Sequence, residues 1–405
     1  MEVRKGYKQT EVGVIPEDWD VLPVSNFGET KRGAGSLSIK YKNMGGVRLI
    51  RINDFFQDNP VFVEPTDDIM RFKIHERDLL FAGTGASAGA SYLPKKEWIG
   101  LPHSYNAPRI RVFENNNKEY LLYSLKSDYV RKQQKAWFVG NAQPFLDTKA
   151  ISSFSIATPP TLAEQEAIAE ALSDADAFIE AVEQLLAKKR QVKQGAMSEL
   201  LTGKRRLAGF SGEWEVRTIG EIGYKFLNGG TPSTKKEEYW EGNIPWITGA
   251  DFIDQKVADI RRVITTEAVN NSATNVIEKG NLLVVTRTGV GKIAIAPFDL
   301  AISQDITGIY VKKEYVLPEF LFWYFYYSTG SLRNLNQGTS ISGITRDTLT
   351  SLSISLPSLA EQTAIAEILS DMDAEISALE EKLVKARQVK AGMMSELLTG
   401  KIRLV

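Results

Sequence analysis

One long segment occurs twice in this chain of 405 residues. The copy that begins at Thr161 aligns without gaps with the copy that begins at Ser358, and both contain the run "SELLTGK" near their ends. About two-thirds of the aligned positions are identical, which is more than two unrelated surface helices would share. An internal repeat of this length indicates that one structural unit is built twice.

Each copy carries the start and stop signals of a helix. A serine or threonine is followed three positions later by glutamate, the capping-box pattern, and a glycine stands where the helix would end. The capping pairs are Thr161 with Glu164 and Ser358 with Glu361, and the closing glycines are Gly203 and Gly400. About 40 residues at a rise of 1.5 Å each predict a helix on the order of 60 Å long in each copy.

Apolar residues recur at steps of four and three along both copies, the spacing of a coiled-coil seam. The seam residues are Ile168, Leu172, Ala175, Ile179, Val182 and Leu186 in the first copy, and Ile365, Leu369, Met372, Ile376, Leu379 and Leu383 in the second. A helix this long buries its seam only against a partner. The two copies are therefore predicted to pack against each other, antiparallel.

The segments before the two helices resemble each other weakly, with Trp19 matching Trp214. They alternate apolar and polar residues and are broken by Gly, Asn and Pro, which predicts short strands joined by turns. One helix is predicted near residues 121–135 and another near 318–331. The predicted fold class is α+β, with two mainly-β domains separated by a long antiparallel two-helix coiled coil and related by a pseudo-two-fold axis. The predicted segments are residues 1–157, 158–207, 208–356 and 357–405.

Few residues suit catalysis or metal binding. The chain has no cysteine, and neither His75 nor His103 has a partner at metal-ligand spacing, so both are predicted to be structural. The stretch "FAGTGASAG" (residues 81–89) is similar to a turn that binds S-adenosylmethionine in adenine methyltransferases, but no N/D-P-P-Y/F motif follows it. We interpret this stretch, and "VVTRTGVGK" (residues 284–292), as glycine turns after strands.

The overall charge and hydropathy restrict the class of protein further. A formal net charge of −1 argues against a wholly basic protein but leaves room for a local basic face. No apolar run reaches the roughly 18 residues of a membrane span, and the N-terminal residues lack the apolar core of a signal peptide. A cytoplasmic protein without membrane partners is expected.

Several motifs resemble those of one known family. They are "GGTPS" (residues 229–233), "YW" (239–240) followed by "IPW" (244–246), the helical "LPSLAEQTAIAEILS" (356–370) and the closing "LLTGKIRL" (397–404). Together they resemble the specificity (S) subunit of type I restriction–modification enzymes, and the resemblance covers essentially the whole chain. The first half departs from the pattern, with "KRGAGS" (31–36) where the second half has "LNGGTPS".

The resemblance implies a role without catalysis. Residues 1–157 and 208–356 would be target recognition domains, each reading one half of a bipartite, asymmetric site in double-stranded DNA. The coiled coil would set the gap between the half-sites and dock two methyltransferase (M) subunits, and endonuclease/translocase (R) subunits would complete the complex. This chain would hold no cofactor or metal. S-adenosylmethionine would serve the M subunits, and ATP and magnesium the R subunits.

Polar residues in the paired loops are the candidates for DNA contact, because their side chains match base edges and phosphates. They are Arg51, Asn53, Thr84, Ser87, Tyr105, Asn106 and Gln143 in the first half, and Thr248, Arg287, Gln304, Thr339, Ser340, Ser342 and Arg346 in the second. Arg51 and Arg287 rank highest, since an arginine can bond guanine with two parallel hydrogen bonds.

Two other classes of function stay open from the residues. One is a stand-alone DNA methyltransferase that uses "FAGTG" to bind S-adenosylmethionine. The other is a coiled-coil scaffold that does not bind DNA.

Overall fold

The computed structural model describes residues 4–138, 144–334 and 343–404. The chain forms two compact units: Met1–Glu183 with Glu381–Val405 make the first, and Gln184–Glu380 make the second. Each unit therefore contains one β-rich segment and parts of both long helices. The α+β class is confirmed.

The described residues of the first unit form short strands, short α-helices and the start of the first long helix. Its strands are β1 Tyr7–Thr10, β2 Gly13–Pro16, β3 Asp20–Pro23, β4 Gly28–Lys31, β5 Tyr41–Lys42, β6 Val47–Leu49, β7 Val61–Val63, β8 Asp78–Phe81, β9 Ser91–Tyr92, β10 Arg109–Val112 and β11 Ser155–Thr158. Its helices are α1 Asp67–Met70, α2 Lys118–Leu125, α3 Asp128–Phe138, α4 Thr148–Ser153 and the start of α5 Leu162–Leu200.

The second unit repeats this plan. Its strands are β12 Glu215–Thr218, β13 Gly223–Asn228, β14 Ile244–Ile247, β15 Phe252–Ile253, β16 Lys256–Val257, β17 Val263–Ile264, β18 Asn275–Ile277, β19 Leu282–Val285, β20 Ile293–Ile295, β21 Leu300–Ile302, β22 Ile306–Val311 and β23 Ser353–Leu356. Its helices are α6 Ile219–Ile222, α7 Thr266–Asn270, α8 Pro318–Tyr327, α9 Thr329–Asn334, α10 Arg346–Thr350 and the start of α11 Leu359–Leu397.

Corresponding sheets occur in both units. The main four-stranded sheet has the order β4-β10-β8-β9 in the first unit and β13-β22-β19-β20 in the second, and all pairs in both sheets are antiparallel. A two-stranded pair precedes each long helix, β3 with β11 and β12 with β23. The second unit also has the order β17-β14-β21-β18, in which β14 and β21 run parallel. The first unit has a three-stranded sheet, β5-β7-β6.

The long helices are present where the repeat predicts them, and all twelve predicted seam residues are buried or half-buried. Ion pairs give the direction of packing in each unit. In the first unit Lys390 contacts Asp176 and Arg387 contacts Glu183. A higher residue number in α5 therefore pairs with a lower residue number in α11, which is the pattern of antiparallel helices. The second unit repeats the pattern with Lys193 against Asp373 and Arg190 against Glu380. The helix segments are therefore antiparallel within each unit.

The predicted helix ends need one correction. The hydroxyls of Thr161 and Ser358 accept the N–H of the glutamate three positions on, as a capping box requires. The glutamate carboxylates, however, bind arginines that follow the other long helix: Glu361 accepts two hydrogen bonds of 2.6 Å from Arg206, and Glu164 binds Arg403. Both carboxylates are fully buried, so a cation is a stronger partner there than a backbone amide. These bonds raise the pKa of both arginines.

Gly203 and Gly400 end the long helices as predicted. Both have a left-handed backbone, with φ of +69° and +65°. A Cβ added to Gly203 would lie 3.5 Å from the ring of Trp214, whereas one added to Gly400 would lie 2.9 Å from the ring of Trp19. Each glycine therefore ends its helix and lets the matched tryptophan pack against it.

The single helices predicted near 121–135 and 318–331 are wrong in detail, because each is two shorter helices. In the first unit α2 ends at Leu125 and α3 begins at Asp128, and the Ser127 hydroxyl donates to the Ser124 carbonyl oxygen at 2.6 Å. In the second unit the Thr329 hydroxyl bonds the Tyr326 carbonyl oxygen at 2.8 Å where α8 gives way to α9. Hydroxyl side chains compete for backbone groups in this way and interrupt helices.

Candidate nucleic-acid interface

The loops of the two units are held by the same backbone hydrogen bonds. In the first unit four backbone N–H groups donate to carbonyl oxygens of distant segments: Ala34 to His103 (2.8 Å), Ser104 to Ile50 (2.9 Å), Gly83 to Asn106 (3.0 Å) and Leu146 to Gly83 (2.8 Å). The corresponding pairs of the second unit, in the same order, are Gly230 to Ile302 (3.0 Å), Ser303 to Ile247 (2.9 Å), Thr286 to Asp305 (2.8 Å) and Ile344 to Thr286 (2.7 Å). We call residues at the same place in this pattern equivalent.

One glycine in each unit permits a close approach of two chain segments. A Cβ added to Gly33 would lie 2.0 Å from the His103 carbonyl oxygen, and one added to the equivalent Gly229 would lie 2.0 Å from the Ile302 carbonyl oxygen. No side chain fits at such a distance. The backbone therefore has the same local structure in "KRGAGS" and in "LNGGTPS", although the two segments differ in sequence.

Six of the predicted contact residues lie around one cleft of the first unit, about 920 Å³ in volume. Arg51 and Asn53 are at the 3₁₀ helix Ile52–Phe55 that follows β6. Thr84 and Ser87 are in the glycine turn after β8, and Tyr105 and Asn106 precede β10. Residues separated by up to 55 positions are thus brought together. The cleft also contains the exposed rings of Tyr41 and Phe56, flat surfaces on which a base can stack.

Arg51, which the sequence ranks first in this unit, is held by its own chain. Its Nη2 donates to the Asn59 carbonyl oxygen at 3.0 Å, and its Nε lies 3.7 Å from the buried carboxylate of Asp54. Asp54 also accepts from Arg48 at 2.7 Å, and this bond raises the pKa of Arg48. Part of the hydrogen-bonding capacity of Arg51 is therefore already used.

Arg32 is a residue of this surface that the sequence prediction missed. Its guanidinium carbon lies 4.1 Å from the ring centre of Tyr105 and 5.0 Å from that of Phe145. Both rings are partly exposed. Phe145 also forms an isolated β-bridge with Thr84, so this cation–aromatic cluster adjoins the cleft. The pattern "KRGAGS" contains the arginine, but only the fold brings it to rings more than 70 positions away.

Backbone bonds connect three of the predicted residues of the second unit. Thr248 directly follows β14, which ends at Ile247. The Ile247 carbonyl oxygen accepts the N–H of Ser303, and this bond brings Thr248 close to Gln304, the residue after Ser303. The backbone N–H of Arg287 donates to Asp305, on the other side of Gln304, at 3.3 Å. The side chains of Arg287 and Gln304 are exposed. Their position is therefore similar to that of the residues around the first cleft.

Thr248 has the same local role as Arg51. It precedes a 3₁₀ helix, and its backbone N–H donates to Asp251 at 2.7 Å, as Arg51 does to Asp54 at 2.9 Å. Burial alone would raise the pKa of Asp251, but hydrogen bonds from Thr248 and Arg261 outweigh burial and hold that pKa below its ordinary value. A buried aspartate thus fixes the loop in both units.

The remaining predicted residues of the second unit are less connected. Arg346 begins α10 and lies over the Phe226 ring at 5.6 Å. Thr339, Ser340 and Ser342, together with Gln143 of the first unit, lie outside the described residues. Two further polar residues of this surface were not predicted: Thr231, whose hydroxyl donates to Gln304 Oε1 at 2.6 Å, and Arg262, whose Nη2 donates to Thr248 Oγ1 at 3.3 Å. Thr231 belongs to the "GGTPS" signature, a signal in the sequence that could have identified it.

His103 and the glycine turn after β8 fit their structural interpretation, whereas the structural role of the exposed His75 stays a prediction. His103 is fully buried, and its Nδ1 lies 2.7 Å from the Ala107 carbonyl oxygen. Burial lowers the pKa of His103 to about 4, so the ring is neutral near pH 7. Gly89 packs against Gln134, whose Oε1 would lie 2.5 Å from an added Cβ. Within residues 4–138, 144–334 and 343–404, no group of three or more potential ligands is arranged to hold a metal ion.

The family is shown by comparison with known proteins. The model of the family "Type I restriction modification DNA specificity domain" matches twice, over residues 16–189 and 211–386. The chain therefore belongs to the type I restriction–modification specificity-subunit family, with one copy of the domain in each half. In the part of the chain that the structure describes, no helix is long and apolar enough to cross a membrane.

Named relatives agree with this assignment. A putative type I restriction enzyme MjaX specificity subunit from Methanocaldococcus jannaschii is 28% identical over 99% of this chain and 97% of its own length. The EcoR124I/EcoR124II specificity subunit of Escherichia coli is 33% identical over 44% of this chain and 46% of its own length. The crystal structure of an S subunit from M. genitalium has a TM-score of 0.62 at 14% identity, covering 98% of both chains, which shows that the fold is shared.

Proposed function

We propose that this chain gives a type I restriction–modification complex its DNA sequence specificity and has no active site of its own. Each unit would read one half of a bipartite, asymmetric site in double-stranded DNA. The observation that carries this proposal is the repeated loop scaffold, which presents different polar side chains at equivalent places. Two units that share a backbone structure but present different side chains suit a DNA site whose two halves differ in sequence.

The first cleft has the chemistry needed to recognise base edges. Asn53 and Asn106 can each donate to and accept from adenine, and Ser87 and Thr84 can bond several bases. Between Thr30 and Asn53 the sequence contains six cations (Lys31, Arg32, Lys40, Lys42, Arg48 and Arg51) and no acid. Some of these cations are paired with acids elsewhere in the chain, as Lys31 is with Glu29 and Arg48 with Asp54, so the exposed Lys40 and Lys42 are best placed to attract the phosphate backbone. Phosphate contacts supply affinity, while the polar side chains supply selectivity.

The long helices would set the number of unread base pairs between the half-sites. Each has 39 residues, which corresponds to roughly 58 Å at 1.5 Å per residue. Ion pairs fix the register of the helices in both units, since Lys193 with Asp373 and Lys390 with Asp176 occupy matching positions of the repeat. A gap of constant length requires a fixed pairing of the helices, and the matching ion pairs within each unit support that part of the proposal.

The repeat would also dock the partners. Two nearly identical helical segments offer two similar surfaces, which suits two copies of a methyltransferase (M) subunit. Endonuclease/translocase (R) subunits would complete the restriction complex. S-adenosylmethionine would be used by the M subunits, and ATP and magnesium by the R subunits, whereas this chain would need no cofactor.

The direct test is to map adenine methylation in cells with and without this chain, in the presence of its methyltransferase partner. We expect a two-part motif with a fixed gap that disappears when the chain is removed. A contiguous motif, or methylation independent of the chain, would contradict the proposal. Titrating S-adenosylmethionine into the purified chain tests the stand-alone methyltransferase, which requires binding where our proposal expects none.

A further inference from the structure

We propose that Arg32 forms a guanine-binding site in the first unit and specifies a guanine in the first half of the DNA site. This inference rests on the proposed function, because it names one base contact within it. The carrying observation is the position of the Arg32 guanidinium against the rings of Tyr105 and Phe145, at 4.1 Å and 5.0 Å from their centres.

The two rings limit the orientations of the guanidinium. A cation near an aromatic face is attracted by the electron density of the ring, and two rings restrict its movement more than one. Arginine loses side-chain entropy when it binds, and a side chain that is already ordered loses less. Tyr105 and Phe145 are thus positioning residues, and the half-exposed rings leave the site open to a ligand.

Arg32 also differs from its neighbours in having no acidic partner. Arg48 bonds Asp54 and Asp58 at 2.7 and 2.8 Å, and Arg51 is held by Asn59 and Asp54. Among residues 4–138, 144–334 and 343–404, no carboxylate forms an ion pair with Arg32. Its N–H donors are therefore available to a ligand that carries acceptors.

The surroundings favour a base edge over a phosphate. Tyr105 lines the cleft with Asn106, and Phe145 bridges to Thr84, so Arg32 stands beside the groups with base-reading chemistry. Guanine presents two acceptors, O6 and N7, in the major groove at the spacing of the two parallel donors of a guanidinium. The exposed lysines Lys40 and Lys42 of the same segment can bind phosphates as point charges, so a phosphate contact does not need Arg32.

The second unit replaces this cluster. The residues equivalent to Arg32, Tyr105 and Phe145 are Asn228, Gln304 and Gly343, and Asn228 Oδ1 accepts a bond of 3.0 Å from the Thr307 hydroxyl. At the place of Thr84 the second unit has the exposed Arg287. Arg32 therefore acts on one half-site only.

The test compares Arg32→Lys with wild type in the assembled methyltransferase complex, by methylation mapping and by competition with DNAs altered at single positions. Lysine keeps the charge but loses the planar pair of donors. We expect one guanine of the first half-site to lose its preference by roughly 10- to 100-fold. Recognition of the second half-site should stay the same. Phe145→Leu should weaken the same position to a smaller extent.

Arg71→Lys is the matched control, because Arg71 also lies over a ring, that of Phe72 at 5.1 Å, but does not line the cleft. It should leave the motif unchanged. The inference would be overturned by an unaltered motif in Arg32→Lys, or by a wild-type first half-site without guanine. An Arg32→Ala variant that weakened all sequences equally and lowered the salt dependence would mean a phosphate contact, which also overturns it. If the wild-type complex showed no two-part motif, the proposed function itself would have failed.

Discussion

The two units share a backbone and differ in the side chains that it presents. Equivalent N–H groups donate to equivalent carbonyl oxygens in both, and Gly33 and Gly229 permit the same close approach. At equivalent places Arg51 corresponds to Thr248, and Thr84 to Arg287. We call the shared pattern of backbone hydrogen bonds the loop frame. Because the loop frame holds the loops in both units, the side chains that would recognise DNA can differ without disturbing it.

The largest expected effect is a loss of stability on replacing Gly33 or Gly229, and it tests whether the loop frames of the two units are equivalent. Gly33→Ala and Gly229→Ala should each destabilise one unit by about 3 kcal/mol, because the added Cβ would lie 2.0 Å from a backbone carbonyl oxygen and the chain would have to shift. Either variant alone should abolish methylation, since both half-sites must be read. Thermal unfolding and methylation assays of the complex measure the two effects.

Gly195→Ala and Gly392→Ala are matched controls for these variants. Both glycines lie inside long helices, and an added Cβ meets nothing within 4 Å. Alanine is favoured over glycine in a helix, so stability should rise slightly. A mild effect of Gly33→Ala beside a severe effect of Gly229→Ala would show that the frames are not equivalent.

The next effect concerns acid sensitivity, which should belong to the first unit. His103 is equivalent to Ile302. Burial lowers the pKa of His103 to about 4, because it outweighs the hydrogen bond to Ala107, which raises that pKa; the charge of Arg109 lowers it further. The unfolded chain binds a proton near pH 6.5, and the folded chain only near pH 4. Stability from the neutral ring is therefore complete above pH 6.5 and is lost as pH falls to 4, by about 3 kcal/mol in all.

His103→Ile should remove this part of the pH dependence. The variant leaves the Ala107 carbonyl oxygen without its donor, so its stability near pH 7 is expected to be lower than that of wild type. The difference between the two proteins should shrink as the pH falls from 6.5 to 4. Equal pH dependence of thermal unfolding in both proteins would contradict the assignment of a neutral buried ring.

The smallest effect distinguishes the two helix ends. Gly203→Ala and Gly400→Ala both place a side chain in a left-handed backbone, which costs about 1 kcal/mol. Gly400→Ala should cost about 1 kcal/mol more, because its Cβ would lie 2.7 Å from Pro16 and 2.9 Å from Trp19, whereas that of Gly203 has 3.5 Å to Trp214. Denaturant unfolding of both variants checks the order, and equal losses would show that these contacts do not matter.

The sequence was sufficient for features that depend on local patterns. The long helices, their seam and the glycines that end them follow from spacing along the chain, because a helix repeats every 3.6 residues. The glycine turn after β8 was likewise recognisable. Six candidate residues of the first half line one cleft because they were chosen from loops that align between the two halves, although the sequences of those loops are only weakly similar.

Features that depend on distant residues were missed. Glu164 and Glu361 were assigned to capping boxes, since nothing in the local sequence shows that Arg403 and Arg206 fold back onto them. Arg32 meets Tyr105 only because Gly33 brings its strand against His103. The division into residues 1–157, 158–207, 208–356 and 357–405 stays a prediction, and so do the DNA contacts.

The most direct measurement is a domain exchange. Residues 1–157 would be replaced by the corresponding segment of another member of the family, and adenine methylation would be mapped in cells that contain the complex. Because each unit has its own loop frame, we predict that one half of the motif changes while the other half and the gap are kept. A change in both halves, or in the gap, would contradict two independent readers on one spacer.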